Sequence, residues 1–336
     1  MEDIFKNKNI MVTGGTGSIG SEIVRCILKY EPKVVRIFSR DETKQFELEQ
    51  DIGRPYNLRF LIGDIRDKER LKRAFNGIDI VFHAAAMKHV PACEYNPFEA
   101  VQTNVIGTQN IIDAALDNKV EKVIAISTDK AASPINTMGA TKLLAEKLII
   151  DANYYKGNCK TVFSCVRFGN VIGSRGSVVP LFEKQIQRGG PITITDPEMT
   201  RFMMTIPQAV DLVFKATKLA RGGEIFIFKM PVVKLKDLAE TMIKKFAPRC
   251  GYEIENISIK VNGARKGEKK HEKLMLEEEA QFAYETDEMF IVIQQDDYNR
   301  YPAMRDWKAV TNVYSSDNAK LCSKKEIEFL LKISGE

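Results

Sequence analysis

Short runs of apolar and β-branched residues alternate with longer amphipathic stretches through the first half of the chain. Six of the short runs predict strands, at residues 9–13, 34–39, 58–62, 80–84, 123–127 and 162–167. The stretches between them predict helices, at residues 21–28, 43–51, 68–75, 97–118 and 138–154. Such alternation predicts an α/β fold with a doubly wound parallel sheet, whose ligands bind at the carboxyl ends of the strands.

The regular alternation ends near residue 167. Residues 178–188, 206–219 and 235–246 have helical patterns, and residues 192–195 and 224–228 have extended ones. A single core stops growing at about 250–300 residues, so 336 residues predict one large domain and a smaller lobe. We assign residues 1–172 to a Rossmann-like domain, to which residues 192–228 return, and residues 173–290 to an interleaved, mixed α/β lobe. Residues 291–336 form a charged tail without an assigned role.

The composition argues against several classes of protein. A formal net charge of +5 comes from 50 basic and 45 acidic side chains spread along the chain, which predicts small anionic ligands and no nucleic acid. The six cysteines form no Cys-x-x-Cys pair, which is typical of reduced thiols in a cytoplasmic protein and predicts no metal site. No signal peptide and no apolar run near the roughly 20 residues of a membrane span is evident, so we expect no membrane partner.

A glycine-rich segment follows the first predicted strand and opens the first predicted helix. Glycines there let the backbone turn sharply and approach a pyrophosphate, whose charge is met by the amides of the helix N-terminus. Its place in the alternating pattern favours dinucleotide binding over an ordinary tight turn. The cofactor-binding residues predicted in this segment are Thr13, Gly14, Thr16, Gly17, Ser18, Ile19 and Gly20.

The end of the second predicted strand indicates which dinucleotide binds. An NAD site usually places a carboxylate there to accept both ribose hydroxyls. Ser39 and Arg40 instead offer hydrogen-bond donors to a 2′-phosphate, and Lys44 is nearby. This arrangement favours NADP, the alternative being that Asp41 binds the ribose and Arg40 is solvated.

Two further strand ends belong to the same predicted cofactor site. Asp64 and Ile65 follow the third strand, where Asp64 would accept a hydrogen bond from the adenine amine. The alternative is that Asp64 serves only as a helix cap. Ala84, Ala85 and Ala86 follow the fourth strand and complete the predicted cofactor-binding residues.

The segment after the fifth predicted strand carries the candidate chemistry. Thr128, Asp129 and Lys130 stand at its carboxyl end, where a nicotinamide would lie, and Lys142 follows on the next helix. The segment resembles the active site of short-chain dehydrogenases/reductases (SDR), in which a Tyr four residues before the Lys takes up a hydroxyl proton. Met138 occupies the tyrosine position, and a thioether carries no proton. Asp129 and Lys130 are the neighbours that could carry the proton transfers instead.

Six segments together resemble the UDP-N-acetylglucosamine 4,6-dehydratases, a group of extended SDR enzymes of polysaccharide biosynthesis. They are Thr-Gly-Gly-Thr-Gly-Ser-Ile-Gly at 13–20, His-Ala-Ala-Ala-Met-Lys-His-Val at 83–90, Ser-Thr-Asp-Lys-Ala at 127–131, Arg-Phe-Gly-Asn-Val-Ile-Gly-Ser-Arg-Gly-Ser-Val at 167–178, Thr-Asp-Pro-Glu-Met-Thr-Arg-Phe at 195–202 and Arg-Lys-Gly-Glu-Lys-Lys-His-Glu at 265–272. Some members of this group carry Met at the tyrosine position and are active, so Met138 looks like the mark of a subgroup.

The resemblance implies a redox-neutral reaction with tightly bound NADP. Hydride leaves sugar carbon 4 for NADP+, water is lost across carbons 5 and 6, and hydride returns to carbon 6. Lys130 would be the base at carbon 5, with a pKa lowered by burial near the cation Lys142, and Asp129 would protonate the departing hydroxyl. Lys142 would also hold the nicotinamide ribose. The carbon 4 hydroxyl proton would pass to Thr128, to Asp129 or through water to Lys142.

The same resemblance implies the residues that hold UDP-N-acetylglucosamine. Arginine grips phosphate oxygens in pairs, so arginines of the second half are the candidates for the diphosphate. Glu268 would accept the uridine ribose hydroxyls, and Lys88 would lie where cofactor and sugar meet. The predicted substrate-binding residues are Lys88, Asn170, Arg175, Arg201, Arg265 and Glu268.

Two other functions stay open at this point. A nucleotide-sugar 4-epimerase would typically need the tyrosine, which Met138 replaces. A catalytically silent NADP-binding regulator would explain the missing tyrosine, but it gives no reason to retain Asp129, Lys130 and Lys142. We therefore expect a dehydratase that serves surface glycan or nonulosonic acid biosynthesis. The predicted helices at 97–118 and 138–154 resemble the pair through which SDR enzymes form dimers, so we also expect a homo-oligomer.

Overall fold

The computed structural model describes residues 1–264, 267–293 and 307–333. Its strands are β1 (Asn9–Thr13), β2 (Val34–Ser39), β3 (Leu58–Ile62), β4 (Ile80–His83), β5 (Lys122–Ile126), β6 (Val162–Arg167), β7 (Asn170–Val171), β8 (Ile192–Ile194), β9 (Thr200–Met204), β10 (Glu224–Phe228), β11 (Val232–Lys234), β12 (Ile259–Val261), β13 (Ala283–Glu285), β14 (Met289–Ile293) and β15 (Lys308–Ala309). Its α-helices are α1 (Glu2–Phe5), α2 (Ser18–Leu28), α3 (Glu42–Ile52), α4 (Lys68–Phe75), α5 (Val90–Tyr95), α6 (Pro97–Ala100), α7 (Gly107–Asp117), α8 (Thr137–Tyr155), α9 (Val178–Gln187), α10 (Ile206–Leu219), α11 (Leu235–Phe246), α12 (Glu277–Ala280) and α13 (Lys324–Ile333).

Ten of the described strands form one sheet, in the order β15-β13-β14-β10-β6-β5-β4-β1-β2-β3. The strands from β3 to β10 in this order run parallel, and β14, β13 and β15 extend the sheet with antiparallel pairs. The strand order reverses between β1 and β4, which opens a crevice at their carboxyl ends. The predicted doubly wound α/β fold is confirmed.

Helices cover the sheet, and its central strands carry buried side chains along almost their whole length. All side chains of β4 and β10 are buried. Helices α2 and α10 pack together on one side, where Phe5, Phe82 and Phe214 form an aromatic cluster with ring centroids 4.9–6.1 Å apart. Strands that are buried on both sides are typical of parallel sheets covered by helices.

A second hydrophobic core lies in the smaller lobe. It contains side chains of α9, β8, α11 and α13, including Phe182, Ile192, Met242 and Leu331. In this lobe β8 pairs with β12, and β9 lies between β7 and β11. Residues 192–228 were expected to return to the large domain. Strand β10 of this range joins the large sheet, but strand β8 belongs to the second core.

The tail expected to begin at residue 291 starts inside a strand. Residues 291–293 complete β14, which pairs with β10 of the large sheet. The described tail residues also include α13, which packs against α11 of the smaller lobe. The chain therefore crosses between the two cores more often than its hydrophobic pattern predicted. None of the described helices is long and apolar enough to cross a membrane.

A buried group of ions connects β6 to the helices around it. The Arg167 guanidinium of β6 binds the carboxylates of Glu146 in α8 and Glu279 in α12, and it donates to the Leu274 carbonyl oxygen at 2.9 Å. Burial by itself would lower the pKa of Arg167, but the two carboxylates raise it above the ordinary value. The guanidinium stays charged and holds the end of β6 in place beside the strand that carries the candidate chemistry.

The helix predicted at 97–118 is interrupted. A π-helical segment, Val101–Ile106, separates α6 from α7. Its Asn104 accepts a hydrogen bond from the Met87 amide at 2.8 Å and donates to the Met87 carbonyl at 3.1 Å and to the Thr141 hydroxyl at 3.0 Å. A π-helical turn often occurs at functional sites. Here it presents Asn104 to the loop after β4 and to α8 at the same time.

Candidate active site

The glycine-rich segment forms a tight loop between β1 and α2. Gly14 has a φ of +66°, and a Cβ there would lie 2.7 Å from the Ala85 amide nitrogen. A Cβ on Gly20 would lie 2.3 Å from the Gly14 carbonyl oxygen. Only glycine lets the loop pack against the end of β4 and against its own helix. The extended Gly17 then caps α2, whose N-terminal amides face the crevice end of the sheet.

The end of β2 carries one exposed cation beside a capped helix. Asp41 accepts a hydrogen bond from the Lys44 amide and thereby caps α3, and hydrogen bonds from Lys44 hold the pKa of Asp41 below its ordinary value. Ser39 is buried, and its hydroxyl accepts a hydrogen bond from the side-chain nitrogen Nε2 of Gln45 at 3.0 Å. The Arg40 side chain remains 56% exposed. Arg40 is therefore more exposed than Lys44 at this strand end, and its ion pair with Asp64 is 3.4 Å long.

The end of β3 holds a carboxylate in an ion pair. Two guanidinium nitrogens of Arg66 donate to Asp64 at 2.7 and 2.9 Å, and Arg40 lies 3.4 Å away. Burial opposes ionisation of Asp64, but these hydrogen bonds lower its pKa below the ordinary value. Ile65 is buried against Gly107. After β4, Ala84 and Ala85 are partly buried, Ala86 is exposed, and the Ala84 amide donates to the Thr13 carbonyl oxygen at 3.1 Å.

The turn after β5 brings a hydroxyl, a carboxylate and an ammonium together. Thr128 donates to Asp129 Oδ1 at 2.7 Å, and Lys130 Nζ donates to the same oxygen at 2.9 Å. The Asp129 side chain is fully buried, and its backbone amide donates to the Phe168 carbonyl oxygen. Its other oxygen, Oδ2, has no hydrogen-bond partner among the described residues. A buried carboxylate oxygen of this kind is prepared to interact with a bound molecule.

The pKa values of Lys130 and Lys142 shift in opposite directions. Burial would lower the pKa of Lys130, but Asp129 and Glu272 raise it above the ordinary value. This direction is opposite to the lowered pKa expected for Lys130, because the attraction of Asp129 and Glu272 outweighs burial. Burial does lower the pKa of Lys142, whose Nζ donates to the Ile126 carbonyl oxygen at 2.6 Å.

Met138 lies in a small hydrophobic cluster of its own. It is 3% exposed and packs with Cys93 and Ala100, with Met87 and Val90 partly buried beside them. The side chain at the tyrosine position is therefore held by apolar contacts between α8 and the helices α5 and α6. Its position in the sequence did not indicate this packing.

Two charged residues that the sequence did not single out also reach the turn. Glu272 is 3% exposed, with Oε1 3.9 Å from Lys130 Nζ. Lys269 Nζ lies 3.8 Å from the other Glu272 oxygen and donates to the Ala132 carbonyl oxygen at 2.8 Å. Both residues stand within the segment 265–272, so the resemblance had marked the segment without assigning roles to these two.

Arg175 lies at the glycine-rich loop. Its guanidinium donates to the Thr16 carbonyl oxygen at 2.8 Å, and its amide donates to Ser18 Oγ at 3.1 Å. Lys88 Nζ donates to the Arg175 carbonyl oxygen at 2.6 Å, and burial together with Arg175 lowers the pKa of Lys88. These contacts place Arg175 and Lys88 beside the cofactor candidates.

The other substrate candidates are distributed around the smaller lobe. Arg201 is buried and donates to the carbonyl oxygens of Thr200, Lys269 and Lys270, with Glu268 3.5 Å away. Asn170 lies on β7, and its Oδ1 is buried without a hydrogen-bond partner in the described part of the chain. Arg265 lies outside the described residues. The structure thus ties Arg201 to the loop that carries Glu268, Lys269 and Glu272.

The described residues contain no group of His, Cys, Asp or Glu side chains that could hold a metal ion. His83 is fully buried between the hydroxyls of Thr13 and Thr108, at 2.8 and 3.2 Å. Burial and the nearby Lys142 lower its pKa to about 3. The imidazole is therefore neutral, and its two hydrogen bonds connect β4 to β1 and to α7.

The sheet order and the position of the site define the class of protein. The strand order, the glycine-rich loop at the reversal and the polar turn after β5 are those of an extended SDR protein with a second lobe. The dTDP-glucose 4,6-dehydratase DesIV of Streptomyces venezuelae shares this fold, with a TM-score of 0.68 and 23% identity over 77% of this chain and 86% of that one.

The chain belongs to the polysaccharide biosynthesis protein family, whose profile matches residues 10–294. It is 55% identical over 333 residues to a Methanocaldococcus jannaschii protein named as an uncharacterized membrane protein, covering 99% of this chain and 97% of the relative. It is 46% identical over 291 residues to the UDP-N-acetylglucosamine 4,6-dehydratase (inverting) of Campylobacter jejuni, covering 86% and 84%. The family resemblance of the sequence is confirmed.

Two further matches bear on the choice between functions. The chain is 40% identical over 336 residues to a Rickettsia rickettsii protein named UDP-glucose 4-epimerase, covering 98% of this chain and 96% of the relative. The X-ray structure of Pen from Bacillus thuringiensis superposes with a TM-score of 0.91 and 49% identity over 98% of each chain. One relative named as a dehydratase and one named as an epimerase are therefore both similar to this chain along most of their length.

Proposed function

We propose that this protein is a hydro-lyase that dehydrates UDP-N-acetylglucosamine across carbons 5 and 6 to a 4-keto-6-deoxy sugar nucleotide, with NADP as its cofactor. The observation that carries the proposal is the Asp129 carboxylate, buried at the carboxyl end of β5 with Oδ1 bound to Lys130 and Oδ2 without a hydrogen-bond partner in the described chain. Such a pair can supply an acid and a base without a tyrosine. The 46% identity to the Campylobacter jejuni dehydratase supports the same reaction.

The loop at the end of β1 fits a dinucleotide. Gly14 and Gly20 let the loop pack tightly against the end of β4 and against itself, and the amides at the N-terminus of α2 would then bind a pyrophosphate. Arg40 would bind the 2′-phosphate that distinguishes NADP from NAD. When bound, the nicotinamide supplies the oxidant that removes hydride from sugar carbon 4 and returns it to carbon 6. Lys142 of α8, whose Nζ reaches the last residue of β5, would orient its ribose.

The hydrogen bond between Asp129 and Lys130 can supply both proton-transfer groups at once. Movement of one proton along this 2.9 Å contact converts the ion pair into a neutral carboxylic acid and a neutral amine. The amine can then remove the carbon 5 proton, and the acid can protonate the departing carbon 6 hydroxyl. The Lys130 ammonium then returns a proton to carbon 5 as hydride returns to carbon 6. The proton of the carbon 4 hydroxyl passes to Asp129 directly, through Thr128 or through a water beside Lys142 and restores its carboxylic acid, so protons balance over the reaction.

A single incubation tests the proposal. Purified protein is mixed with UDP-N-acetylglucosamine and NADP+, and the sugar nucleotide is analysed by mass spectrometry. We expect the loss of one water. An unchanged mass with a new sugar would instead identify an epimerase, which the 40% identity to the Rickettsia rickettsii protein makes the second candidate. An unchanged sugar with bound cofactor would leave only the silent regulator.

A matched pair of lysine variants tests the role of the turn. Lys130→Ala should lower the rate of dehydration by about 100-fold or more while NADP+ still binds, because the base is lost. Lys72→Ala removes an exposed lysine that pairs with Asp117 at 3.2 Å and should retain full activity. Full activity in the Lys130 variant would rule out the proposed base.

We propose further that the protein is a homo-oligomer. Large apolar side chains are exposed along neighbouring helices: Tyr95 of α5, Phe98 of α6, Ile106 before α7, and Leu144 and Tyr154 of α8. Apolar side chains exposed in such number on adjacent elements are typical of a protein contact surface. Sedimentation analysis should show a dimer or a larger assembly, and a monomer at micromolar concentration would contradict the proposal.

A further inference from the structure

A buried charge cluster surrounds the carboxylate of Glu272. Lys130 Nζ is 3.9 Å from Oε1, and Lys269 Nζ is 3.8 Å from Oε2. Asp129 and Arg201 are the other charged groups that act on it. Two carboxylates, Asp129 and Glu272, thus lie near three cations, Lys130, Lys269 and Arg201. In the interior, charge interactions are much stronger than in water.

The backbone holds Glu272 in this position. Its amide donates to Ser316 Oγ at 2.9 Å, and its carbonyl oxygen accepts from the Ser316 amide at 2.9 Å. The carboxylate is 97% removed from solvent, since the residue is 3% exposed, and Oε2 accepts no hydrogen bond from the described residues. The backbone of Glu272 is thus fixed beside Ser316, and its buried carboxylate lies between Lys130 and Lys269.

This arrangement matters because only a neutral amine can act as a base. The ammonium of Lys130 is in contact with Asp129 on one side and with Glu272 on the other, and Arg201 is the cation that opposes them. The Asp129 contact can release the amine by proton transfer, as the proposed reaction requires. The Glu272 carboxylate favours the charged form of Lys130 wherever Glu272 is itself ionised, and burial together with Asp129 raises the pKa of Glu272.

We propose that Glu272 is a positioning residue that fixes the Lys130 ammonium against Asp129 and sets the pH at which Lys130 becomes a base. The proposal rests on the proposed function for its catalytic meaning. The effect on Lys130 itself can be measured without any turnover.

The measurement uses two variants of the full-length protein. Glu272→Gln keeps the shape but removes the charge, and Glu272→Asp keeps the charge. Competitive acetylation with acetic anhydride, followed by mass spectrometry of the peptide containing Lys130, reports the fraction of neutral amine at each pH. We expect the Lys130 profile to move about one pH unit or more to lower pH in Glu272→Gln, and less than half as far in Glu272→Asp.

Glu277→Gln is the matched control, because Glu277 is a 78% exposed glutamate on the same segment. Its profile should coincide with that of the unsubstituted protein. The rising limb of the pH profile of kcat should move with the acetylation profile, whereas a purely structural role would lower activity equally at all pH values. An unmoved acetylation profile in folded Glu272→Gln overturns the inference. Movement of that profile in a protein that does not dehydrate the sugar supports the inference and refutes only the proposed function.

Discussion

The guanidinium of Arg175 donates a hydrogen bond of 2.8 Å to the carbonyl oxygen of Thr16. The two residues are 159 positions apart, one after the short strand β7 and the other in the glycine-rich loop. A segment of the second half therefore rests on the loop that the first half offers to a pyrophosphate. The next residue of this segment, Gly176, packs directly on His89, because a Cβ there would lie 2.5 Å from the imidazole.

Arg175→Ala should weaken cofactor binding more than nucleotide-sugar binding. The guanidinium holds the loop in shape and adds positive charge beside it, and loss of one such charged contact costs about ten-fold in affinity. Isothermal titration with NADP+ and with UDP-N-acetylglucosamine separates the two effects. A larger loss for the sugar nucleotide would return Arg175 to the substrate site that the sequence suggested.

Arg40→Ala should reduce the preference for NADP over NAD by about ten-fold, since the exposed guanidinium at the end of β2 is placed to meet a 2′-phosphate. Binding of each dinucleotide to the variant and to the unsubstituted protein gives the ratio. An unchanged ratio would mean that another cation, such as Lys44, recognises the phosphate.

Met138→Ala should destabilise the protein by about 2–3 kcal/mol, because it removes a buried side chain from the cluster with Cys93 and Ala100. The value of kcat should remain within about two-fold at a temperature where the variant is folded, since acid–base catalysis by positioned side chains contributes far more than that. Urea unfolding and initial rates measure the two quantities. A collapse of kcat without a loss of stability would give the thioether a direct role in the reaction.

His83 should make the protein less stable in acid. Its pKa is lowered from 6.5 to about 3. The contribution of His83 to the free energy of unfolding is therefore complete above pH 6.5 and is lost as the pH falls toward 3, because the unfolded chain then binds a proton that the folded chain does not bind. The slope from this one residue is about 1.4 kcal/mol per pH unit in that range. Urea unfolding of His83→Gln between pH 6 and pH 4 should show a slope smaller by that amount. Equal slopes would mean that the imidazole titrates normally.

The local pattern of the first half predicted its elements closely. The strands at 9–13, 34–39, 58–62 and 162–167 have the bounds that the structure shows. Each is an apolar run between polar turns, and a parallel strand buried on both sides leaves this signal in the sequence. Strands β7, β11 and β12 were not predicted, because two or three residues are too few to show a period. Strand β9 was not predicted because its Thr-Arg-Phe-Met-Met sequence does not alternate, its side chains being divided between the two cores.

Positions in the site were predicted better than the forces between them. The sequence placed Thr128, Asp129 and Lys130 at a strand end, and the structure has them in one hydrogen-bonded turn. The pKa of Lys130 is raised and not lowered as expected, because Asp129 and then Glu272, which is 142 residues away in the chain, outweigh burial. No periodicity connects residues at such a separation.

The sequence by itself determined the alternating elements, the glycine-rich loop and the absence of a tyrosine four residues before Lys142, since each is a property of neighbouring residues. Only the tertiary structure decided that Arg175 covers the loop, that Met138 is buried in an apolar cluster and that Lys130 is held between two carboxylates. These relationships arise because the chain returns repeatedly from the smaller lobe to the large sheet. Electrostatic interactions depend on distance in space and on burial, and both are set by packing.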